Sequence, residues 1–390
     1  MSHRSLAALA LVGAALAAPA AEAAVPAGPS GARFYTPTTP LGGTTHGDLL
    51  RARRLTGTAA VPGAARTDLI LYRGAGVDGR PVAISGALSV PRGKAPKAGW
   101  PVVSWAHGTT GLADRCAPTR PIGAALSAYA FPTLTAWLKR GWAVARTDYE
   151  GLGTPRRHPY LIGTSEGRAV LDIVRAARQH DRRIDLRRVA LAGHSQGGHA
   201  ALWAAALAKT HTPELGVRGT VGFAPVSHVG EQAGALTAFT APSPLSGLAA
   251  AILAGAEVQT PALDVAEKLT DRARGLYPRI TTECIDELIT PSSLGGLAPA
   301  ELLRPGVDIG PIVTALNAND TETLRIGTPL RLEQGLADTT VFAALTDQLA
   351  TALRRRGTPL TTASRSGVGH GDIVAAGSAA STAWLARRLK

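Results

Sequence analysis

A mainly parallel α/β sheet covered by helices on both faces is the architecture the sequence predicts, and three observations point to it. Short apolar runs alternate with helical segments through most of the chain, the rhythm of strand-helix-strand units whose sheet is buried on both sides. That rhythm is interrupted once, for about a hundred residues, by short Ala-, Leu- and Gly-rich helices punctuated by proline, longer than the roughly two to six residues of an ordinary connection. With 390 residues and 45% hydrophobic content, the chain can bury a large core.

Residues 1–23 read as an export signal: Arg4 gives the basic start, residues 6–16 are apolar, and small residues lead to Ala21-Glu22-Ala23, with cleavage expected after Ala23 or Ala24. The apolar run is shorter than the ~20 residues of a membrane span, and no twin-arginine pair or cleavage-site cysteine accompanies it, so secretion is expected. Residues 24–47 form a Pro/Gly/Thr-rich surface arm. The first part of the core, 48–225, should carry strands at 67–73 and 81–90, joined into an antiparallel hairpin by Gly76-Val77-Asp78-Gly79. Strands at 101–106, 142–146, 188–192 and 217–223 then alternate with helices at 124–140, 166–179 and 198–209. Residues 226–326 are expected as an inserted helical cap. The core resumes over 327–390 with strands at 329–332 and 359–363 and helices at 341–354 and 372–389.

Charge and cysteines narrow the function. The formal net charge is +13, yet the basic residues are scattered in short groups such as Arg51 to Arg54, with no basic stripe interleaved with aromatics, so no nucleic-acid partner is expected. Cys116 and Cys284 are the only cysteines, and in an oxidising compartment one disulfide is the economical reading against two free buried thiols. His194 and His199 are off the i, i+4 spacing of a zinc pair, Cys-x-x-Cys is absent, and no Gly-x-Gly-x-x-Gly opens a strand-helix unit. Neither a metal nor a nucleotide cofactor is expected.

Gly-x-Ser-x-Gly occurs twice, around Ser165 and around Ser195, and context separates the two. A nucleophile elbow of the α/β-hydrolase fold needs a strand, a tight turn between small residues, and a helix. Ser195 has Val189-Ala190-Leu191-Ala192 before it and Gly198-His199-Ala200-Ala201-Leu202-Trp203 after it. Ser165 follows only the short, proline-headed Pro159-Tyr160-Leu161-Ile162, and Thr164 or Ser165 is expected to N-cap the next helix.

A serine hydroxyl needs an imidazole to accept its proton and an acid to orient that ring, in this fold in the chain order serine, acid, histidine. Of the histidines after Ser195, only His370 follows the last expected strand, in Gly367-Val368-Gly369-His370-Gly371. Asp338, at the end of the penultimate strand, is the expected acid. Asp320 and Asp372 compete, and Asp338 has a plainer role open to it as a helix cap. For the oxyanion, one amide should be that of Gln196. The other should come from His107-Gly108-Thr109-Thr110-Gly111, with Thr109 chosen and Gly108 its rival; His107 is read as a buttress of this loop.

With these residues assembled, the chain resembles the secretory lipase family of α/β-hydrolases, the lipase-A-like group of fungi and bacteria. The matching pieces are Phe34-Tyr35-Thr36-Pro37 with Gly47-Asp48-Leu49-Leu50-Arg51, Trp105 to Gly111, Thr147-Asp148-Tyr149-Glu150-Gly151-Leu152-Gly153, His158-Pro159-Tyr160-Leu161, Gly193 to Gly198, and Gln334-Gly335 with Asp338. The resemblance implies a Ser195-Asp338-His370 triad, a helical cap and hydrolysis of carboxylic esters, acylglycerols among them. It departs at the oxyanion loop, where fungal members carry an acidic residue near the place of this His-Gly pair.

The expected activity is thus that of a secreted serine esterase or lipase acting through an acyl-enzyme, as a monomer, on a small-molecule ester or lipid with transient contact to a lipid interface. A peptidase or acyltransferase on the same triad and a non-catalytic binding protein are the alternatives. Leu236, Phe239, Leu245, Leu248, Ile252 and Leu253 of the cap either line an acyl pocket or only pack the cap on the sheet. A Cys116–Cys284 bridge would tie the loop after the oxyanion strand to the cap.

Overall fold

The computed structural model describes residues 26–37, 40–41, 44–235 and 238–390. The expected signal, residues 1–23, and Leu236 lie outside the described residues.

Among the described residues nine strands form one sheet: β1 (Leu49–Arg54), β2 (Arg66–Ala75), β3 (Pro81–Val90), β4 (Trp100–Ala106), β5 (Ala143–Thr147), β6 (Ile184–His194), β7 (Val217–Phe223), β8 (Leu330–Gly335) and β9 (Leu360–Arg365). Their spatial order is β1-β2-β3-β5-β4-β6-β7-β8-β9. β1, β2 and β3 form an antiparallel meander that pairs antiparallel with β5, and from β5 to β9 every pairing is parallel. β4 is buried at every position, as a central strand with helices on both faces must be, and its Trp100-Pro101-Val102-Val103 run reads accordingly.

Two apolar layers sandwich the sheet. On one face, α3 (Gly163–His180) and α4 (Gln196–His211) bury residues such as Ala169, Val170, Ile173, Val174 and Ala177, recurring at helical spacing. After the short α1 (Pro121–Ser127), α2 (Phe131–Lys139) lies on the other face with the C-terminal α12 (Ile373–Ala386), and Trp105, Trp137 and Trp384 join the packing. Trp137 Nε1 donates to Thr382 Oγ1 at 2.9 Å, so the indole loses no hydrogen bond on burial. α11 (Ala343–Arg355) follows β8.

The helix expected at 124–140 is two helices separated by a 3-10 turn at Ala128–Ala130, ahead of Pro132 in the first turn of α2. Proline fits a first turn and not a helix interior, which is why the chain breaks there. β1 was not expected: Leu-Leu-Arg-Ala-Arg-Arg is too charged to read as a strand. It is an edge strand whose Arg51 and Arg53 donate to carbonyls of the preceding arm, at Phe34 and Pro29.

Between β7 and β8 run α5 (Val229–Ala235), α6 (Pro244–Gln259), α7 (Val265–Lys268), α8 (Asp271–Leu276), α9 (Ile285–Leu288) and α10 (Gly310–Asn317). They share an apolar cluster of their own, including Leu253, Leu269, Leu288, Leu297 and Ile312. Cys116, after β4, and Cys284, at the start of α9, form a disulfide 168 residues apart in sequence. In the chain-entropy account, closing a loop of that length stabilises the fold by about 5 kcal/mol. The double variant Cys116→Ala/Cys284→Ala is expected to lose a large part of that in urea unfolding; an unchanged midpoint would show that the bridge constrains little.

Candidate active site

The turn from β6 into α4 holds Ser195 at φ 56° and ψ −117°, a left-handed conformation that a non-glycine residue adopts only where its surroundings impose it. Its amide donates to the Phe223 carbonyl at 2.9 Å, and its own carbonyl accepts from His199 N at 3.1 Å and Val226 N at 3.3 Å. The glycines on either side are needed for packing. A Cβ on Gly193 would lie 2.0 Å from the Gly197 oxygen, and one on Gly197 would lie 2.0 Å from the Ala106 oxygen.

The other serine pentapeptide is structural. α3 begins at Gly163 with Ile162 as its N-cap, so neither Thr164 nor Ser165 caps it. The amides at its start are taken instead by Glu166 Oε1, from Leu161 N at 2.9 Å, and by Asn319 Oδ1, from Gly163 N at 3.0 Å. Ser165 is buried and donates to Glu150 Oε2 at 2.6 Å.

His370 and Asp338 come together in the loops after β9 and β8. His370 Nδ1 donates to Asp338 Oδ2 at 2.7 Å, while Asp338 Oδ1 accepts from the amides of Thr340 and Val341, each at 2.8 Å. One carboxylate oxygen therefore caps the turn and the other faces the imidazole. Burial works to raise the Asp338 carboxyl, but the His370 ring and these amides outweigh it and hold it below the ordinary carboxylate value. Asp320 is engaged elsewhere by His228 N, and Asp372 precedes α12. Among the described residues no hydrogen bond joins His370 to Ser195 Oγ; such contacts commonly tighten only around substrate.

Two residues that sequence reasoning passed over bind the site together. His194 Nε2 lies 3.0 Å from the His370 carbonyl and must donate to it, so Nδ1 accepts from the Tyr129 hydroxyl at 2.9 Å. The same hydroxyl accepts from the Gly108 amide at 3.1 Å. Burial pushes His194 down to about 3, and His107, buried with its Nδ1 on the Gly108 carbonyl, likewise to about 3, so both rings are neutral at pH 7. The Gly108 amide is thus committed. For the Thr109 amide no acceptor occurs among the described residues, and Thr109 Oγ1 meets the Tyr160 hydroxyl at 2.7 Å.

Gln196, first residue of α4, has an amide with no partner inside the helix. Its side chain donates to Glu166 Oε1 at 2.7 Å and to His158 Nε2 at 3.0 Å, all three buried. Glu166 in turn faces His199 Nδ1 at 3.1 Å. No local pattern signals this network, because its members come from three separate stretches of chain.

Ser195 and Thr109 open on a cavity of about 800 Å³ with a mainly apolar lining, which includes Phe239, Leu245, Leu248, Ile252 and Leu253 of the β7–β8 insertion. Leu253 also belongs to the insertion's own apolar cluster, so lining and packing are combined in one side chain.

Comparisons with known proteins agree with this geometry. The model of the family described as secretory lipase matches residues 126–390. A probable inactive lipase of Mycobacterium tuberculosis is 29% identical over 266 residues, 65% of this chain and 58% of that protein. Lipase A of Moesziomyces aphidis is 32% identical over 136 residues, 34% of this chain and 27% of that one. The chain therefore spans less than two thirds of the length of these curated relatives. In structure it is similar to Candida antarctica lipase A in its closed state, with TM-score 0.75 and 20% identity over 91% of this chain and 85% of that one. The rice cell wall degrading esterase LipA of Xanthomonas oryzae has TM-score 0.71 and 21% identity over 88% and 97%. At these identities the structural likeness is one of fold.

Two outcomes follow from the site's hydrogen bonds. Tyr129→Phe leaves the Gly108 amide and His194 Nδ1 without partners in a buried place and should cost about 1–3 kcal/mol in urea unfolding; a midpoint equal to wild type would contradict the chain of bonds. Because the Asp338 carboxyl is depressed, its stabilisation is complete above the ordinary value near ~4 and is lost as pH falls below it. Asp338→Asn should therefore be less stable at pH 7 and show a shallower loss of stability from about pH 4 to 2.

Proposed function

The chain belongs to the secretory lipase family, and from that premise we propose that it is a secreted serine hydrolase of carboxylic esters, acting through an acyl-enzyme on lipid-like esters. The supporting observation is Ser195, held at positive φ and lining an apolar cavity, with the His370–Asp338 pair bonded through His194 to the same turn. Secretion accords with the buried disulfide.

In the proposed mechanism Ser195 Oγ attacks the ester carbonyl carbon while His370 Nε2 takes its proton. Asp338 keeps the Nδ1 proton in place and stabilises the imidazolium. The carbonyl oxygen, now an oxyanion, is met by the amides of Gln196 and Thr109, each such donor worth on the order of 10²–10³ in kcat. His370 returns the proton to the leaving alkoxide, releasing the alcohol and an acyl-Ser195 ester. Water, deprotonated by His370, attacks that ester, and the acid leaves as the proton returns to Ser195 Oγ. The apolar cavity would hold the acyl chain.

A non-catalytic role is the second reading, favoured by the name of the mycobacterial relative, a probable inactive lipase. A fluorophosphonate probe separates the two, since it labels a serine only where the nucleophile is activated. We expect stoichiometric labelling that disappears in Ser195→Ala, together with hydrolysis of p-nitrophenyl butyrate and octanoate that falls by roughly 10⁴–10⁶-fold in the same variant. Unlabelled wild type without esterase activity would sink the catalytic reading. A preference for emulsified long-chain triglyceride over soluble short esters would mark a lipase rather than an esterase.

A further inference from the structure

Far from Ser195, three residues that no sequence motif connects meet in one cluster. His46 stands in the turn before β1, Asp172 in the middle of α3, and His211 is the last residue of α4. His46 Nδ1 lies 2.6 Å and His211 Nε2 2.8 Å from the same oxygen, Asp172 Oδ1, and the two rings stack with centroids 3.8 Å apart. Their candidate ligand atoms all lie within 4.8 Å of one another. Since α4 starts at the serine turn and runs 16 residues, its far end lies about 24 Å from Ser195.

The hydrogen bonds within the cluster leave something over. Asp172 has a fully buried side chain, and its Oδ2 has no hydrogen-bond partner, a costly arrangement for a carboxylate. Charges nearby include Arg175 and Glu214, paired with each other, and Asp48, which is bonded to the Thr44 and Thr45 amides and acts on Arg175. Arg175 Nη1 also lies 2.8 Å from His46 Nδ1, 3.1 Å from Nε2 and 3.2 Å from the His46 carbonyl.

We propose that His46, Asp172 and His211 form a binding site for a divalent transition-metal ion, zinc above all. Two imidazoles and one carboxylate are a donor set that suits zinc, with ligand distances of about 2.0–2.2 Å. Binding requires the two nitrogens to part from Oδ1, from 2.6 and 2.8 Å to the roughly 3.3 Å that separates adjacent ligands of a tetrahedral zinc. Nδ1 of His46 and Nε2 of His211 face the metal unprotonated, each ring keeping its proton on the other nitrogen, and the Arg175 guanidinium, 2.8 Å from that Nδ1, withdraws toward its partner Glu214. The carboxylate, with its unpartnered oxygen, supplies the negative ligand, and His46, whose side chain is 31% exposed, leaves a side open for water as the fourth ligand. The ion would fasten the segment before β1 to α3 and α4, a structural role remote from the ester chemistry.

The test uses tag-free full-length protein, stripped with a chelator and titrated with zinc chloride by calorimetry and thermal unfolding. One equivalent is expected to bind, with Tm raised by about 3 °C at a hundredfold excess of free zinc over Kd. His46→Gln and His211→Gln should each weaken binding at least tenfold and abolish the Tm rise. Neither site is buried like Asp172, so both variants should fold, as circular dichroism without zinc will verify. Absence of binding to the wild type, or binding with unchanged affinity in both variants, would overturn the proposal. Esterase activity plays no part in the readout, so failure of the catalytic reading leaves this test intact.

Discussion

The constraint on which the rest of the site depends is the closeness of backbone around Ser195. Gly193 lets the Gly197 carbonyl lie where a side chain would otherwise stand, Gly197 admits the end of β4 at Ala106 and His107, and Gly198 admits Pro225 beyond β7. Three neighbouring strands are thereby drawn onto one turn. The strain at Ser195 is held because the amide and carbonyl of that residue are bonded to β7, α4 and the segment after β7, so relaxing φ would break several bonds together.

From that turn a directed chain of hydrogen bonds reaches both halves of the proposed machinery. Gly108 N–H, the Tyr129 hydroxyl, His194 and the His370 carbonyl each offer one polarity to the next, and reversing any link would leave a carbonyl facing an acceptor. The neutral state that burial imposes on His194 is the state the chain requires. The oxyanion loop and the histidine loop, far apart in sequence, are thus set relative to each other by a residue adjoining the nucleophile.

What the sequence made legible is what repeats locally. β7 spans the residues expected of it, and the serine turn follows from strand, glycines and helix read in order. β1 escaped because an edge strand whose arginines turn toward the preceding arm lacks the apolar signature of the others. The helix before β5 was expected as one because its apolar period carries across Ala128–Ala130, whereas the break comes from proline geometry. Glu166, His158 and Gln196, like His46, Asp172 and His211, are joined only by tertiary folding. No spacing rule links residues whose partners lie 30 to 126 positions away.

The insertion between β7 and β8 does more than roof the cavity. Its Cys284 is bonded to Cys116, Ile285 N donates to the Thr110 carbonyl at 3.0 Å, and Cys284 bridges to Gly111 in β fashion. Gly111 sits at φ 126°, and a Cβ there would lie 2.9 Å from both the Cys116 sulfur and the Cys284 Cα, so the seam closes only over a glycine. Arg115 and Glu287 add an ion pair across the same seam. The start of α9 and the loop carrying Thr109 therefore form one mechanical unit, and displacing that end of the insertion would disturb the amide proposed to meet the oxyanion. None of these fastenings involves Phe239 or Phe342, which line the cavity and stand partly in solvent, so apolar surface of the cavity meets water away from the seam that holds the amides.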